Sequence, residues 1–242
     1  MNHLFEQVLF LGDTHGVDGL GERLYYNQHI PSNSLIIHVG DVGLGFCHPN
    51  KEGQDLKELD AALESVGSHM WAIRGNHDNP AYWGPQRAAE LNKEYPNIEL
   101  IPDYTARKVN GKSFLFVGGA VSIDRGCRTL NQDWWEGEEV QVNHPRLNKC
   151  DVLVCHTAPD CVGPQVHSPF VNSFFPQDPT LEAELIAERK FIGKLVNKVE
   201  PSIFVCGHFH EASQFIDYDR NIRYRIVDIN ELVKLDSLLG FY

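Results

Sequence analysis

The chain has 242 residues, with 21 basic against 33 acidic side chains and a formal charge of −12. Hydrophobic residues make up 42% and charged residues 22%, which excludes a disordered chain and is enough for a sizeable core in a single domain spanning 1–242. The acidic balance excludes a general polyanion binder, because nonspecific nucleic-acid affinity comes from Lys and Arg neutralising phosphates. No apolar run approaches the roughly 20 residues of a membrane helix. The opening MNHLFEQVLFLGDTHG shows no basic region and no small-residue cleavage site, so the expected location is cytoplasmic with no membrane partner.

In chain order, Val8–Leu11 is a short run of β-formers ended by Gly12 and predicts the first strand. Asp18–His29 is a helical candidate, followed by a second strand at Leu35–Val39, ended by Gly40. Gly53–Val66 predicts a helix, since Leu56, Leu59, Leu63 and Val66 recur at 3–4 residue spacing. Met70–Ile73 is the third strand. Pro80–Tyr95 predicts a helix that starts on a proline suited to a first turn. Ile98–Ile101 and Thr105–Val109 read as edge strands, and Phe114–Val117 as a buried one leading into Gly118-Gly119. Val152–Cys155 and Ile203–Cys206 complete the buried set. Between them Leu181–Val199 predicts the longest helix, with Thr180 as its N-cap. The tail reads as antiparallel: Ala212–Tyr218, a turn at Asp219–Asn221, Ile222–Val227, and a last strand at Glu231–Leu235. This order predicts an α/β protein with mixed sheets and helices outside. Two long irregular stretches, near 120–149 and 158–179, are substrate-loop insertions by this reading, because such loops in a compact domain are usually functional.

The six cysteines (Cys47, Cys127, Cys150, Cys155, Cys161, Cys206) form no C-x-x-C pair, and Cys150, Cys155 and Cys206 lie in or beside apolar runs. They read as reduced, buried thiols. The twelve histidines are different, because several directly follow strands. Collecting the residues after each strand gives Gly12-Asp13-Thr14-His15-Gly16, Gly40-Asp41-Val42-Gly43, Gly75-Asn76-His77-Asp78, His156-Thr157, and Gly207-His208-Phe209-His210. Loops at the carboxyl ends of parallel strands converge on one crevice. Asp13, His15, Asp41, Asn76, His156, His208 and His210 therefore meet there. Seven oxygen and nitrogen ligands exceed the four that one zinc usually takes, and suit two metals sharing a carboxylate. His38, inside LIIHV, reads instead as a core histidine, and Trp134 and Trp135 as packing.

The combination D-x-H, GD, GNHD, H and GHxH, in this order across nearly the whole chain, resembles the calcineurin-like metallophosphoesterase superfamily. The resemblance implies a four-layer αββα sandwich of two mixed β-sheets flanked by helices. It implies one metal held by Asp13, His15, Asp41 and His210 and a second by Asp41, Asn76, His156 and His208, with Asp41 bridging. His77 is then no ligand but sits over the scissile phosphate. Two divalent ions are expected, Mn²⁺ as first choice with Fe or Zn as alternatives at one position. They generate the hydroxide nucleophile from a bridging water.

The chain resembles the bacterial and phage serine/threonine-phosphatase-like branch, but reads GDVGLG at Gly40–Gly45 where that branch has GDxVDRG. Leu44 replaces the aspartate that orients the catalytic histidine, and Gly45 replaces a phosphate-binding arginine. His77 then needs another partner and phosphate another cation, for which Arg74, Arg125 and Arg128 are the candidates. Asp78, Asp18 and backbone carbonyls are candidate partners for the ligand histidines. Phe46–Gly53, Ile123–Gln141 and Cys161–Pro176 would select the substrate. They mix aromatics with few basic residues, so a small phosphorylated molecule, a nucleotide or a phosphopeptide is expected rather than a long nucleic acid. The expected activity is phosphomonoester hydrolysis. The alternatives are a phosphodiesterase or nucleotide pyrophosphohydrolase and, in another class, a non-catalytic scaffold. Oligomeric state is open.

Overall fold

Strands that are apolar at every position, rather than at alternate ones, need cover on both faces. In the computed structural model they find it in two stacked sheets. The structure describes residues 4–18, 20–22, 24, 30–46, 48–142 and 146–239. Eleven strands are present: β1 (Gln7–Leu11), β2 (Ser34–His38), β3 (His69–Ala72), β4 (Ile98–Leu100), β5 (Thr105–Val109), β6 (Lys112–Val117), β7 (Val152–Cys155), β8 (Ile203–Cys206), β9 (Ser213–Asp217), β10 (Ile222–Ile226) and β11 (Leu232–Lys234). One sheet has the order β11-β1-β2-β3-β4, the other β5-β6-β7-β8-β10-β9. β1 to β4 run parallel with β11 antiparallel. In the second sheet β6, β7, β8 and β10 run parallel, with β5 and β9 antiparallel at the two edges. Both sheets are mixed, as the sequence pattern predicts.

Side-chain alternation explains the layers. Val8, Phe10, Leu35, Ile37 and Trp71 of the first sheet meet Phe114, Phe116, Val152, Val154 and Val205 of the second. The opposite faces, Leu9, Leu11, Ile36 and Met70 on one side, pack under Leu56, Leu59 and Leu63 of the Pro49–Ser65 helix and Leu91 of the Pro85–Glu94 helix. On the other side Leu153, Cys155, Phe204 and Cys206 pack under Ile192, Leu195, Val196 and Val199 of the Leu181–Val199 helix. The result is the four-layer αββα sandwich. Cys150, Cys155 and Cys206 are free and buried, while Cys127 and Cys161 are exposed. Cys47 lies outside the described residues.

Local departures from the expected elements have physical causes. The Pro80–Tyr95 helix is two pieces, a 3-10 turn at Pro80–Trp83 and a helix at Pro85–Glu94. Gly84 between them is extended (φ −60°, ψ 143°), because a proline drives the preceding residue out of the helical region. Thr180 precedes the long helix but does not cap it with its side chain; the hydroxyl donates to Asp178 Oδ1 at 3.0 Å. Of the Asp18–His29 helix, one turn at Leu20–Glu22 is seen, and residues 19, 23 and 25–29 lie outside the described residues. Among the described residues no helix is long and apolar enough to cross a membrane.

The long connection between β6 and β7 is fastened to the sandwich by buried charges. Glu188, on the Leu181–Val199 helix, accepts the N–H groups of Val121 and Val140 at 3.2 Å each. Burial pushes its carboxyl up to about 7. The folded state therefore keeps this proton to higher pH than the unfolded chain, and the group's burden on stability is absent below about pH 4.5 and complete above pH 7. Stability contributed at this site falls as pH rises through that window. Urea unfolding at pH 5 and 7.5 should show a fall in ΔG that is shallower in Glu188→Gln than in wild type by about 1–3 kcal/mol. Parallel pH profiles would contradict it.

Candidate metal centre

The loops after β1, β2, β3, β7 and β8 leave the same end of the sandwich and bring the predicted residues together. The backbone is strained in the loops after β1, β2 and β8. Among the described residues that are neither glycine nor asparagine, six have positive φ, and four of these are His15 (50°), Asp41 (56°), His208 (70°) and His210 (52°). Non-glycine residues hold the left-handed region only where their surroundings enforce it, and such strain collects at functional sites. Two glycines make the approach feasible: a Cβ on Gly75 would lie 2.0 Å from Asp41 Oδ1, and one on Gly207 2.1 Å from Asp13 Oδ1.

One group of ligand atoms, from Asp13, His15, Asp41 and His210, lies within 4.8 Å of one another. His210 Nε2 is 3.3 Å from Asp13 Oδ2 and 2.9 Å from His15 Nε2, and Asp41 Oδ2 lies 4.0 Å from His15 Nδ1. The other oxygen of Asp41 faces a second group. Asp41 Oδ1 is 3.2 Å from His156 Nε2, which is 3.0 Å from Asn76 Oδ1, itself 2.9 Å from His208 Nδ1. The carboxylate thus stands between both groups. It is itself held by the His77 N–H at 2.7 Å.

Hydrogen bonding fixes the orientation of the second group. His156 Nδ1 donates to the Val39 carbonyl at 2.8 Å, so in the neutral ring the Nε2 lone pair points at Asp41 and Asn76 oxygens. Asn76 is turned by a relay: Nδ2 donates to Ser122 Oγ (2.9 Å), which donates to Glu138 Oε2 (2.7 Å), while Glu138 Oε1 accepts the Ser122 N–H. Acceptors then face acceptors, an arrangement that calls for a cation. The charge balance among these groups agrees. Burial would lower the pKa of His156, but Asp41, with help from Asp13, outweighs it and lifts the imidazole to about 10. Asp41 is buried too, yet His156, His77 and His15 hold its carboxyl well below the usual range. Burial lowers His15 and His208, and hydrogen bonding to Asp13 raises His210. The donor set of carboxylate, imidazole and amide oxygen fits a divalent metal.

The family described as Calcineurin-like phosphoesterase matches residues 7–212. The chain belongs to that family. Among solved structures, one superimposes with a TM-score of 0.56 at 15% identity over 96% of each chain. The protein TT1561 of Thermus thermophilus follows with 0.51 at 11% identity, covering 97% of this chain and 96% of its own. Phosphopantetheinyl hydrolase (PptH) from Mycobacterium tuberculosis gives 0.50 at 13% identity over 95% of each. These likenesses concern the fold. Among curated proteins, none matches the chain in sequence.

Around this calcineurin-like centre the three candidate arginines separate. Arg128 lines the same cavity as His15, Asp41, Asn76, His77, His208 and His210. Its Nη2 donates to His77 Nε2 at 2.8 Å and to Asp124 Oδ2 at 2.8 Å, and its Nη1 to the Asp133 carbonyl at 3.2 Å. Arg74 is a correction to the expectation: it is buried, and its donors go to Asp103 and to the carbonyls of Gly137, Glu138 and Glu139. It fastens the β6–β7 connection and has no N–H left for phosphate. Arg125 is a second correction, tied to Asp178 (2.5 Å), Glu184 (2.6 Å) and Thr180 (3.1 Å) outside the cavity. Of the proposed partners for the histidines, a backbone carbonyl serves His156. Asp78 touches none of them; it accepts the N–H groups of Val42, Gly43, Leu44 and Gly75 and locks the two motif turns together. Asp18 is exposed and pairs with Lys51.

His77 is stacked on Phe46 (5.8 Å between centroids) and set edge-on to His15 (4.7 Å). Burial, with Arg128 and His15 beside it, holds the imidazole down at about 4 despite Asp41. His38 is buried and meets Thr14 Oγ at 3.0 Å, as a core histidine should. Trp135 is buried and packs edge-on against Phe46 at 4.8 Å. Sequence reading missed Ser122, Glu138 and Asp124, which lie in irregular stretches: Ser122 and Glu138 act through partners distant in sequence, and Asp124 through Arg128, four residues on. If the Ser122 relay orients Asn76, Ser122→Ala should weaken Mn²⁺ affinity by about 10–100-fold with the fold intact by circular dichroism. An unchanged Mn²⁺ titration would show that the relay does not matter.

Proposed function

We propose that the protein is a metal-dependent phosphomonoesterase with a dinuclear centre. The observation that carries this reading is the Asp41 carboxylate set between two groups of acceptors, on a cavity wall that also presents His77 and Arg128. Asp13, His15, Asp41 and His210 would hold one divalent ion and Asp41, Asn76, His156 and His208 the other, with Mn²⁺ as the first choice for this oxygen-and-nitrogen set. When bound, such a pair supplies an activated water and neutralises charge developing on phosphorus oxygens.

The chain's own residues do the rest. Arg128 offers a planar pair of N–H donors from the cavity wall and takes the role of the arginine missing at Gly45. Asp124 and the Asp133 carbonyl keep it in place. When Arg128 turns its donors to a phosphate, His77 Nε2 is free to move a proton at the departing oxygen, and the dianion beside the ring favours its protonated form. Phe46 and Trp135 shield that ring from water on one side.

Phosphate release from 4-nitrophenyl phosphate with added Mn²⁺ tests the reading. Wild type should turn over. Asp41→Asn should be inactive, His77→Ala should lose about 10²–10⁴ in kcat, and Arg128→Ala about 10–10³ in kcat/KM. Full turnover in both Asp41→Asn and His77→Ala with metal bound would overturn the mechanism. A clear preference for bis(4-nitrophenyl) phosphate would reassign the protein to diesters.

A further inference from the structure

The cavity that holds the metal-centre residues has a second half that the chemistry of phosphate does not use. Its volume is about 430 Å³, within the roughly 300–1,000 Å³ of small-molecule sites. Besides the histidines, its lining includes the apolar side chains of Ile123, Val166, Phe170, Val171, Phe174 and Leu185. Ile123, Val166, Val171 and Phe174 are only partly buried and pack on buried Leu181 and Leu185. They therefore keep apolar surface turned to the cavity.

This wall is built, not draped. Arg189, 5% exposed, donates to the carbonyls of Pro159, Val162 and Pro164 and pins the near end of the 158–179 segment. Arg125 pins the far end through Asp178. Ser168 Oγ accepts the Val171 N–H at 3.2 Å and sets the short helical turn that carries Phe170 and Val171.

From this continuity we infer that the physiological substrate is a small phosphomonoester whose organic part is compact and apolar, an aryl or alkyl group that fills this half of the cavity. The inference rests on the phosphomonoesterase reading and narrows it. Of the polar side chains in this lining, Glu188, Ser168 and Arg189 are engaged with backbone groups. A sugar or nucleotide placed here would meet Thr157 and Gln165 but set most of its hydroxyls against isoleucine, valine and phenylalanine, a costly burial. An apolar group gains about 0.8 kcal/mol per methylene buried, close to fourfold in affinity.

The n-alkyl phosphates from ethyl to octyl test it, because their leaving groups differ little in basicity. With Mn²⁺-loaded protein, kcat/KM should rise about two- to fourfold per added methylene until the cavity is full, mainly through KM. Calorimetric affinity for n-alkylphosphonates, which are not hydrolysed, should rise in parallel, and Phe174→Ser or Val171→Asp should flatten both series. A flat chain-length dependence in the phosphonate series overturns the inference. If ethyl or 4-nitrophenyl phosphate is still hydrolysed, the phosphomonoesterase reading survives that result. No hydrolysis of any ester overturns the reading instead, while a rising phosphonate series still supports the apolar subsite.

Discussion

Two carboxylates, Asp13 and Asp41, are each 1% exposed at the junction of the two sheets, and their ion-pair partners are the imidazoles of His15, His156 and His210. Burying a carboxylate is costly unless charge and hydrogen bonds compensate it. Most of the local structure supplies that compensation. The N–H of His77 serves Asp41 and that of His208 serves Asp13, and His156 is drawn towards its charged form. A protonated His156 puts a positive charge among these acceptors, as the proposed metal ion would.

The same constraint reaches outwards. His15, Asp41, His208 and His210 stand on strained backbone, so the strands behind them must be rigid. The fully buried runs of β1, β2, β7 and β8 supply that rigidity by packing on both faces. Asp78 ties the turns after β2 and β3, and Thr14 and His15 both donate their N–H to the Asp41 carbonyl. The overall charge of −12 is no obstacle to phosphate chemistry. The seven grouped residues include two aspartates against four histidines and an asparagine, so the two divalent ions proposed above would make the site positive inside an acidic protein. The acidic remainder works against long polyanions.

The strands and the grouping of the seven residues were legible because both are written locally. Runs such as VLFL and IFVC end in glycine at the place where a ligand follows, and parallel order carries those ends to one side. What was not legible depended on side chains meeting across the fold. Arg74 directly precedes the Gly75-Asn76-His77 motif, yet its side chain faces Asp103 and the Gly137–Glu139 carbonyls, a choice that only tertiary packing decides. Arg128 and Arg125 are three residues apart in one loop, and a short 3-10 turn at Arg125–Cys127 sends them to different sites. The Ser122–Glu138 relay has no motif at all. The Gly84-Pro85 break in the expected helix follows from proline sterics, which drive Gly84 out of the helical region.

In the proposed dinuclear centre, Asp41 unites two metal sites. Metal analysis of the purified protein, reloaded with Mn²⁺ and freed of excess ion, tests it most directly. Two ions per chain are expected. One ion per chain or fewer would contradict it.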